Sequence, residues 1–190
     1  MALIEAPARN TPHYTGRGDG GSTGRLGTSV RISKDSALIE AVGTVDEAVS
    51  SIGMARAVCT SQGTRDSLLV VQQHLSRMLA HLSATPEARA QYPGLSSDAV
   101  DWLEARIAEI EHAMPPLRAF VLPGATLAGA AFHIARTTVR RAERRVVGLA
   151  ETEPGLGQHG LAYLNRLSSL LFVAAVAEDL AENEAHSVDP

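Results

Sequence analysis

Apolar residues recur at helical spacing through most of this chain. After Lys34 they fall at Leu38, Ile39, Val42, Val45, Val49, Ile52 and Ala55, a period that gathers them on one side of a helix. A first helix is therefore predicted over about 37–59, capped by Asp35 or Ser36. The same reading predicts a second over about 63–84, ending before Pro86, and a third over about 97–113. The third lies between the cap signal Ser96-Ser97-Asp98 and the pair Pro115-Pro116. A connector, Phe120-Val121-Leu122-Pro123-Gly124, leads to a fourth over about 125–150. The turn Glu153-Pro154-Gly155-Leu156-Gly157 separates it from a fifth over about 159–184.

Long helices joined by short loops read as an all-α, up-and-down five-helix bundle, a four-helix core plus one. Before it comes a flexible loop, Tyr14 to Gly27, too rich in glycine for a helix or a central strand. Residues 1–13 read as a disordered lead-in, and 14–190 as a single helical domain.

Composition narrows the class of function. The chain of 190 residues is long enough for one core, and 45% apolar with 4% aromatic content suits close-packed helices. A net charge of −4 argues against a nucleic-acid or membrane surface. Cys59 is alone, which fits a reducing, cytoplasmic setting. Met1 to Asn10 shows no basic region followed by an apolar core, so no signal peptide is expected. Leu170 to Val176 is too short to span a membrane, and no other stretch is expected to do so.

Charge is most concentrated in the ten residues from Arg136 to Arg145, which hold five arginines and one glutamate. At about 100° per residue, Arg136, Arg140 and Glu143 fall within roughly 60° of one another. They flank an apolar stripe of Ala131, Ala135, Val139, Ala142, Val146 and Leu149, while Arg141 and Arg145 point to the far side. Two readings stand open: a solvated helix laced with ion pairs, or one wall of a site for a polyanion. The glycine loop offers backbone N–H groups that can converge on phosphate oxygens, with Ser22 and Thr23 adding hydroxyls. It fits neither G-x-x-x-x-G-K-[ST] nor a dinucleotide fingerprint, and a flexible arm is the competing reading. Lys34 is the only lysine in a chain that otherwise uses arginine, which suggests a compact ammonium is wanted there.

Asp46 follows Val42 and precedes Val49 by about one turn each, so it is expected on or near the packed face, in need of a partner. Asn165 sits between Leu164 and Leu167 and reads either as a buried, backbone-satisfied amide or as a site residue. A metal bundle is not expected. Glu109-Ile110-Glu111-His112 holds one E-x-x-H without its second copy, His74 and His81 lack a carboxylate at metal spacing, and His133 is isolated.

Taken in order, these segments resemble the PduO-type ATP:cob(I)alamin adenosyltransferases over about residues 14–180. Tyr14 to Gly24 is similar to the family loop Y-T-[RK]-T-G-D-K-G-T-T-G, and Lys34-Asp35 to its K-D pair. Glu40 to Glu47 resembles E-A-x-G-T-V-D-E, and Phe120 to Gly124 resembles F-x-L-P-G. Arg136 to Arg144 matches R-T-x-x-R-R-A-E-R, and Leu164 to Phe172 resembles L-N-R-L-S-D-x-L-F. The chain departs from these patterns at Gly16, Arg17, Gly20, Ala125 and Ser169.

The resemblance implies transfer of the 5′-deoxyadenosyl group of ATP to the cobalt of cob(I)alamin, giving adenosylcobalamin and triphosphate. It implies a homotrimer with sites at the subunit interfaces, and partners in a cob(II)alamin reductase and an adenosylcobalamin-dependent enzyme. ATP would be held by Thr15, Gly16, Arg17, Gly18, Thr23, Gly24 and Lys34, completed by Arg140, Arg141, Glu143, Arg144 and Asn165. Magnesium (Mg2+) would bridge the phosphates, with no protein side chain assigned to it. Catalytic roles fall to Phe120, as the aromatic that displaces the lower ligand of cob(II)alamin, and to Asp46 and Arg136, as an intersubunit ion pair. The departures at Gly20 and Ser169 motivate an alternative, a corrinoid or nucleotide carrier or sensor of the same fold that transfers nothing.

Overall fold

The computed structural model describes residues 14–117, 120–153 and 158–187, with side chains left aside at 158 and 183–187. The expected lead-in over 1–13 and the centre of the turn after Glu153 lie outside the described residues. Five helices carry the fold: α1 Ala37–Val58, α2 Gln62–Ser83, α3 Ser97–Ala113, α4 Leu127–Ala150 and α5 Gln158–Ser187. A 3-10 turn over Pro86–Gln91 follows α2, where proline at the first position accepts a helical start without needing its missing N–H. The sequence pattern did not announce that turn.

Helix ends follow local chemistry. The Ser36 hydroxyl accepts from the Ile39 N–H at 3.4 Å, and the Ser61 hydroxyl from the Thr64 N–H at 3.3 Å. Helix α4 begins later than its pattern suggests because Thr126 takes an extended conformation and its hydroxyl accepts from Gly129 N–H at 2.8 Å. Ser96 precedes α3 without any side-chain capping bond.

Helix α4 lies at the centre, packed on α1 and α5, with α2 outside α1 and α3 outside α5. Its buried face runs Ala131, Ala135, Val139, Ala142, Val146 and Leu149, as the periodicity predicts. On α1 the buried line is Leu38, Ala41, Val45, Ala48, Ile52 and Ala55. Both helices thus put alanines into their shared face, where small side chains fit a tightly packed groove. Larger residues fill the rest of the core, among them Leu68, Leu75, Leu103, Phe132, Tyr163, Leu167 and Leu171. Each such side chain contributes roughly 1.5–3 kcal/mol by leaving water.

The turn between α1 and α2 is fixed by a buried acid. Glu178 accepts from the Thr60 N–H at 2.9 Å, the Thr60 hydroxyl at 2.7 Å and the Ser61 N–H at 3.2 Å, clasping the α1–α2 turn. The Cys59 thiol donates to it at 3.0 Å, and burial together with this acid pushes that thiol up to about 12. Segment His159–Glu182 has the length and composition of a membrane span, contrary to the sequence expectation, yet 56% of it is buried inside the bundle. A helix packed on both α3 and α4 needs apolar residues around much of its circumference.

Candidate functional site

The glycine loop is more ordered in its pairing than its composition suggests. Strands β1 Ser22–Thr23 and β2 Ile32–Ser33 pair antiparallel, with Ser22 opposite Ser33 and Thr23 opposite Ile32. Gly16 and Gly21 sit at φ +69° and +76°, the left-handed region open to glycine. The Lys34 N–H donates to the Gly21 carbonyl at 2.9 Å. A Cβ placed at Gly18 would lie 3.0 Å from Lys34 Nζ, so the missing side chain lets the lone ammonium reach the loop backbone. Arg31 reinforces the hairpin by donating to the Ser22 carbonyl at 2.6 Å. Thr15, Gly16, Arg17 and Gly24 stay exposed, while Gly18 and Thr23 are half-buried.

A charged clamp, unforeseen in the sequence, fastens this loop to the bundle. Arg25 donates to both Glu153 oxygens at 3.0 Å and to the Ala84 carbonyl at 3.1 Å. Arg89 donates to the same carboxylate at 2.8 Å. Hydrogen bonding from Arg25, opposed by burial, holds the Glu153 carboxyl below the usual carboxylate range, with Arg89 assisting. Beside it the Leu26 N–H donates to Ser83 and the Leu26 carbonyl accepts from Thr85. The only sequence signal was a glycine run followed by an arginine.

On the helical side, α4 divides its arginines between two neighbours. Arg141 pairs with Glu47 and Arg145 with Glu40 at 3.2 Å, both on α1. On the opposite flank Glu143 accepts from the Asn165 amide at 3.0 Å, joining α4 to α5. Arg140 and Arg144 are exposed, linked only by Arg144 donating to the Arg140 carbonyl at 3.0 Å. The structure therefore gathers Arg140, Glu143, Arg144 and Asn165, and turns Arg141 aside.

One expectation needs correction, and one of two open readings falls. Asp46 is exposed, because the buried line of α1 passes through Val45 and Ala48 and leaves residue 46 about 100° away. Asn165 is also exposed, bonded to Glu143 and accepting from Arg166 at 2.9 Å, so it is not a buried amide. Asp46 does not meet Arg136 within one chain. The pairs 40–145 and 47–141 set an antiparallel register that puts Asp46 level with residues 141–142, roughly 8 Å along the axis from Arg136.

Phe120 is 90% exposed, and Leu122 beside it is 75% exposed. Further along the same connector, Pro123 and Gly124 line a recess of about 350 Å³ together with Ala130, His133, Ile134, Arg136 and Thr137 of α4. A second recess of about 430 Å³ lies at the end of the bundle away from the glycine loop. Its buried acid, Glu178, already accepts from four donors, so it offers little free chemistry.

A cationic helix face, a glycine loop with its lysine, and an apolar recess thus occur on one chain. A family model described as cobalamin adenosyltransferase matches residues 13–178. The chain belongs to that family. It is 42% identical over 166 residues to a corrinoid adenosyltransferase of Bacillus subtilis, covering 85% of this chain and 83% of that one. It is 38% identical over 178 residues to the corrinoid adenosyltransferase PduO of Salmonella typhimurium, covering 92% of this chain. The chain spans about half of that Salmonella protein, 52% of its length. In fold it is similar to a variant PduO-type ATP:corrinoid adenosyltransferase from Lactobacillus reuteri, solved in complex with cobalamin and ATP. The TM-score is 0.81 at 32% identity, covering 90% of this chain and 94% of that one. The cobalamin adenosyltransferase fold accounts for the all-α architecture.

Proposed function

We propose that this chain transfers the 5′-deoxyadenosyl group of ATP to the cobalt of cob(I)alamin. The observation that carries the reading is a phosphate-competent loop and lysine on the same chain as an arginine face that makes no ion pair among the described residues, in a chain of the cobalamin adenosyltransferase family. In the reaction the cobalt–carbon bond forms as the bond from C5′ to the triphosphate oxygen breaks. The leaving triphosphate takes the electron pair, and no proton moves, so no general base is required.

The residues fit the two demands of that step. Leaving-group charge grows as the bond breaks, and preorganised cations and N–H donors aimed at it lower the barrier. Arg140 and Arg144 supply the cations, Lys34 and the loop from Thr15 to Gly24 supply the rest, and Glu143 with Asn165 orients the wall. The corrinoid side needs an apolar surface that keeps water from a reducing metal. Phe120, Leu122 and the recess further along their connector supply it, with Phe120 displacing the lower axial ligand.

A homotrimer completes the site. Met54 on α1 and Leu127 and Ile134 on α4 are exposed apolar residues, which suits burial against another copy. There the exposed Asp46 of one subunit would pair with Arg136 of the next. Among the described residues no three His, Cys, Asp or Glu side chains could hold a metal. As the family resemblance implies, magnesium would enter with the nucleotide phosphates, and no step is routed through it. We place the enzyme in the cytoplasm, working beside a cob(II)alamin reductase and an adenosylcobalamin-dependent enzyme.

The test mixes the protein with ATP, magnesium and chemically reduced cobalamin, and follows the absorbance change as the cobalt–carbon bond forms. Growth of the adenosylcobalamin spectrum with stoichiometric triphosphate supports the reading. Tight corrinoid binding without that spectrum overturns it in favour of a carrier.

A further inference from the structure

Two buried polar atoms without partners lie close to the candidate site, on neighbouring helices. His133 on α4 is 4% exposed and Asp179 on α5 is 6% exposed. Neither His133 Nε2 nor Asp179 Oδ2 has a hydrogen-bond partner. Their other polar atoms are engaged. Arg136 Nε donates to His133 Nδ1 at 3.4 Å, while Asp179 Oδ1 accepts from the Thr126 N–H at 3.1 Å and the Thr126 hydroxyl at 2.7 Å.

The sequence makes room for this arrangement. A Cβ at Gly129 would fall 2.0 Å from Asp179 Oδ1, so only glycine in the first turn of α4 lets the carboxylate approach. Phe172 packs edge-on against the His133 ring, centroids 6.1 Å apart, and limits its tilt. His133 and Arg136 both line the recess bordered by Pro123 and Gly124.

We propose that His133 is a positioning residue for Arg136: Nδ1 receives the Arg136 Nε–H, Nε2–H is held by Asp179, and the guanidinium presents its two terminal nitrogens to an anionic partner. The chemistry follows from the imidazole itself. A ring whose Nδ1 accepts must, when neutral, carry its proton on Nε2. That N–H and the Asp179 oxygen are a donor and an acceptor, both buried and both unmet. One bridging water would satisfy both. Asp179 lies near enough to act electrostatically on the ring, while burial first and Arg136 second hold the imidazolium form below its usual range. With Nε occupied, the Arg136 fork has its end-on face left, the geometry that grips a carboxylate through two parallel bonds. The inference deepens the proposed function and rests on Arg136 being part of its site.

Substitutions at His133 separate orientation from bulk. Asn places an acceptor near the Nδ1 position, Gln places its amide near Nε2, and Phe keeps the ring without either. His133→Phe and His133→Gln are expected to lower kcat about tenfold or more, as small displacements of site groups do, with KM for ATP and melting temperature nearly unchanged. His133→Asn is expected to keep most of the turnover. In an Arg136→Ala background, His133→Phe should add no further loss, because the histidine acts through that arginine. Full activity of His133→Phe, or an equal further loss in the Arg136→Ala background, overturns the proposal. A readout independent of turnover is the 15N spectrum of histidine-labelled protein at pH 7.5. It should show His133 neutral with its proton on Nε2, whereas a proton on Nδ1 overturns the assignment even if adenosyl transfer is confirmed.

Discussion

The loop end of the bundle and the outer face of α4 both carry arginines, and they use them in opposite ways. Arg25 and Arg89 share one carboxylate, with side chains only 13% and 9% exposed around Glu153. Arg140 and Arg144 stand exposed on the helix, and neither makes an ion pair among the described residues. The first pair holds structure together, because charges that leave water must find a partner within the chain. The second pair leaves its charge unspent, and a cation held ready costs little until an anion arrives. The contrast separates arginines that hold the frame from those that the proposed function assigns to the nucleotide.

The largest effect should follow removal of an unpartnered arginine. Arg140→Ala is expected to lower kcat/KM for ATP about a hundredfold, as loss of one charge-stabilising donor does. Its melting temperature should stay near that of the parent, since its side chain makes no pair among the described residues. Unchanged turnover would remove Arg140 from the site. Next in size is the proposed ion pair across subunits. Asp46→Arg or Arg136→Asp alone should cut turnover about tenfold or more and weaken assembly, as leaving a buried charge unpaired does. Combining the two restores the pairing with signs reversed. Sedimentation velocity with the cobalamin assay checks this, and a double variant no better than the singles would reject the pair.

A smaller effect is expected from the framing clamp. Glu153→Gln keeps an acceptor but loses its charge, so about 1–2 kcal/mol of stability should go. The loop it fastens should loosen, raising KM for ATP severalfold and speeding tryptic cleavage after the already exposed Arg17. The pH dependence has a definite sign. The folded carboxyl lies below its ordinary value of 4.5, so its stabilisation is full above that value. It is lost as pH falls through the lower folded value. Acid unfolding followed by circular dichroism should therefore show a shallower fall for Glu153→Gln than for the parent.

How much of this could be read beforehand depends on range in sequence. The helices were legible because apolar spacing and caps are local, and α1 and α3 fall within a residue of their expected bounds. Arg136, Arg140 and Glu143 were legible as one flank because helical geometry alone places them together, whereas Arg144 was singled out only by the resemblance. Asp46 was misjudged because Val42 and Val49 are only half-buried, while the alanines at 41 and 48 carry the true contact line. The clamp escaped notice because Arg25 and Glu153 are 128 residues apart, and neither residue type announces a distant partner. His133 was isolated in sequence for the same reason, since Asp179 comes from another helix. Gly129 was a faint signal that something approaches α4 closely.

The smallest effect tests the comparison from within the arginine run itself. Arg145 lies five residues beyond Arg140, on the far side of the helix, and meets Glu40 of α1 at 3.2 Å. Their side chains are 56% and 52% exposed, so water and salt screen the pair and it should be worth no more than about 1 kcal/mol. Arg145→Ala is therefore expected to shift melting little and to leave kcat and KM for ATP within about twofold. The outcome matters because a general cationic field would treat the two arginines alike. If Arg145→Ala lost activity as Arg140→Ala does, net charge rather than a partner-free guanidinium would be what the nucleotide reads. Repeating the assay in raised salt sharpens the point. A field effect shrinks with ionic strength, whereas close charge-assisted bonds at Arg140 persist, so the gap between the two variants should survive.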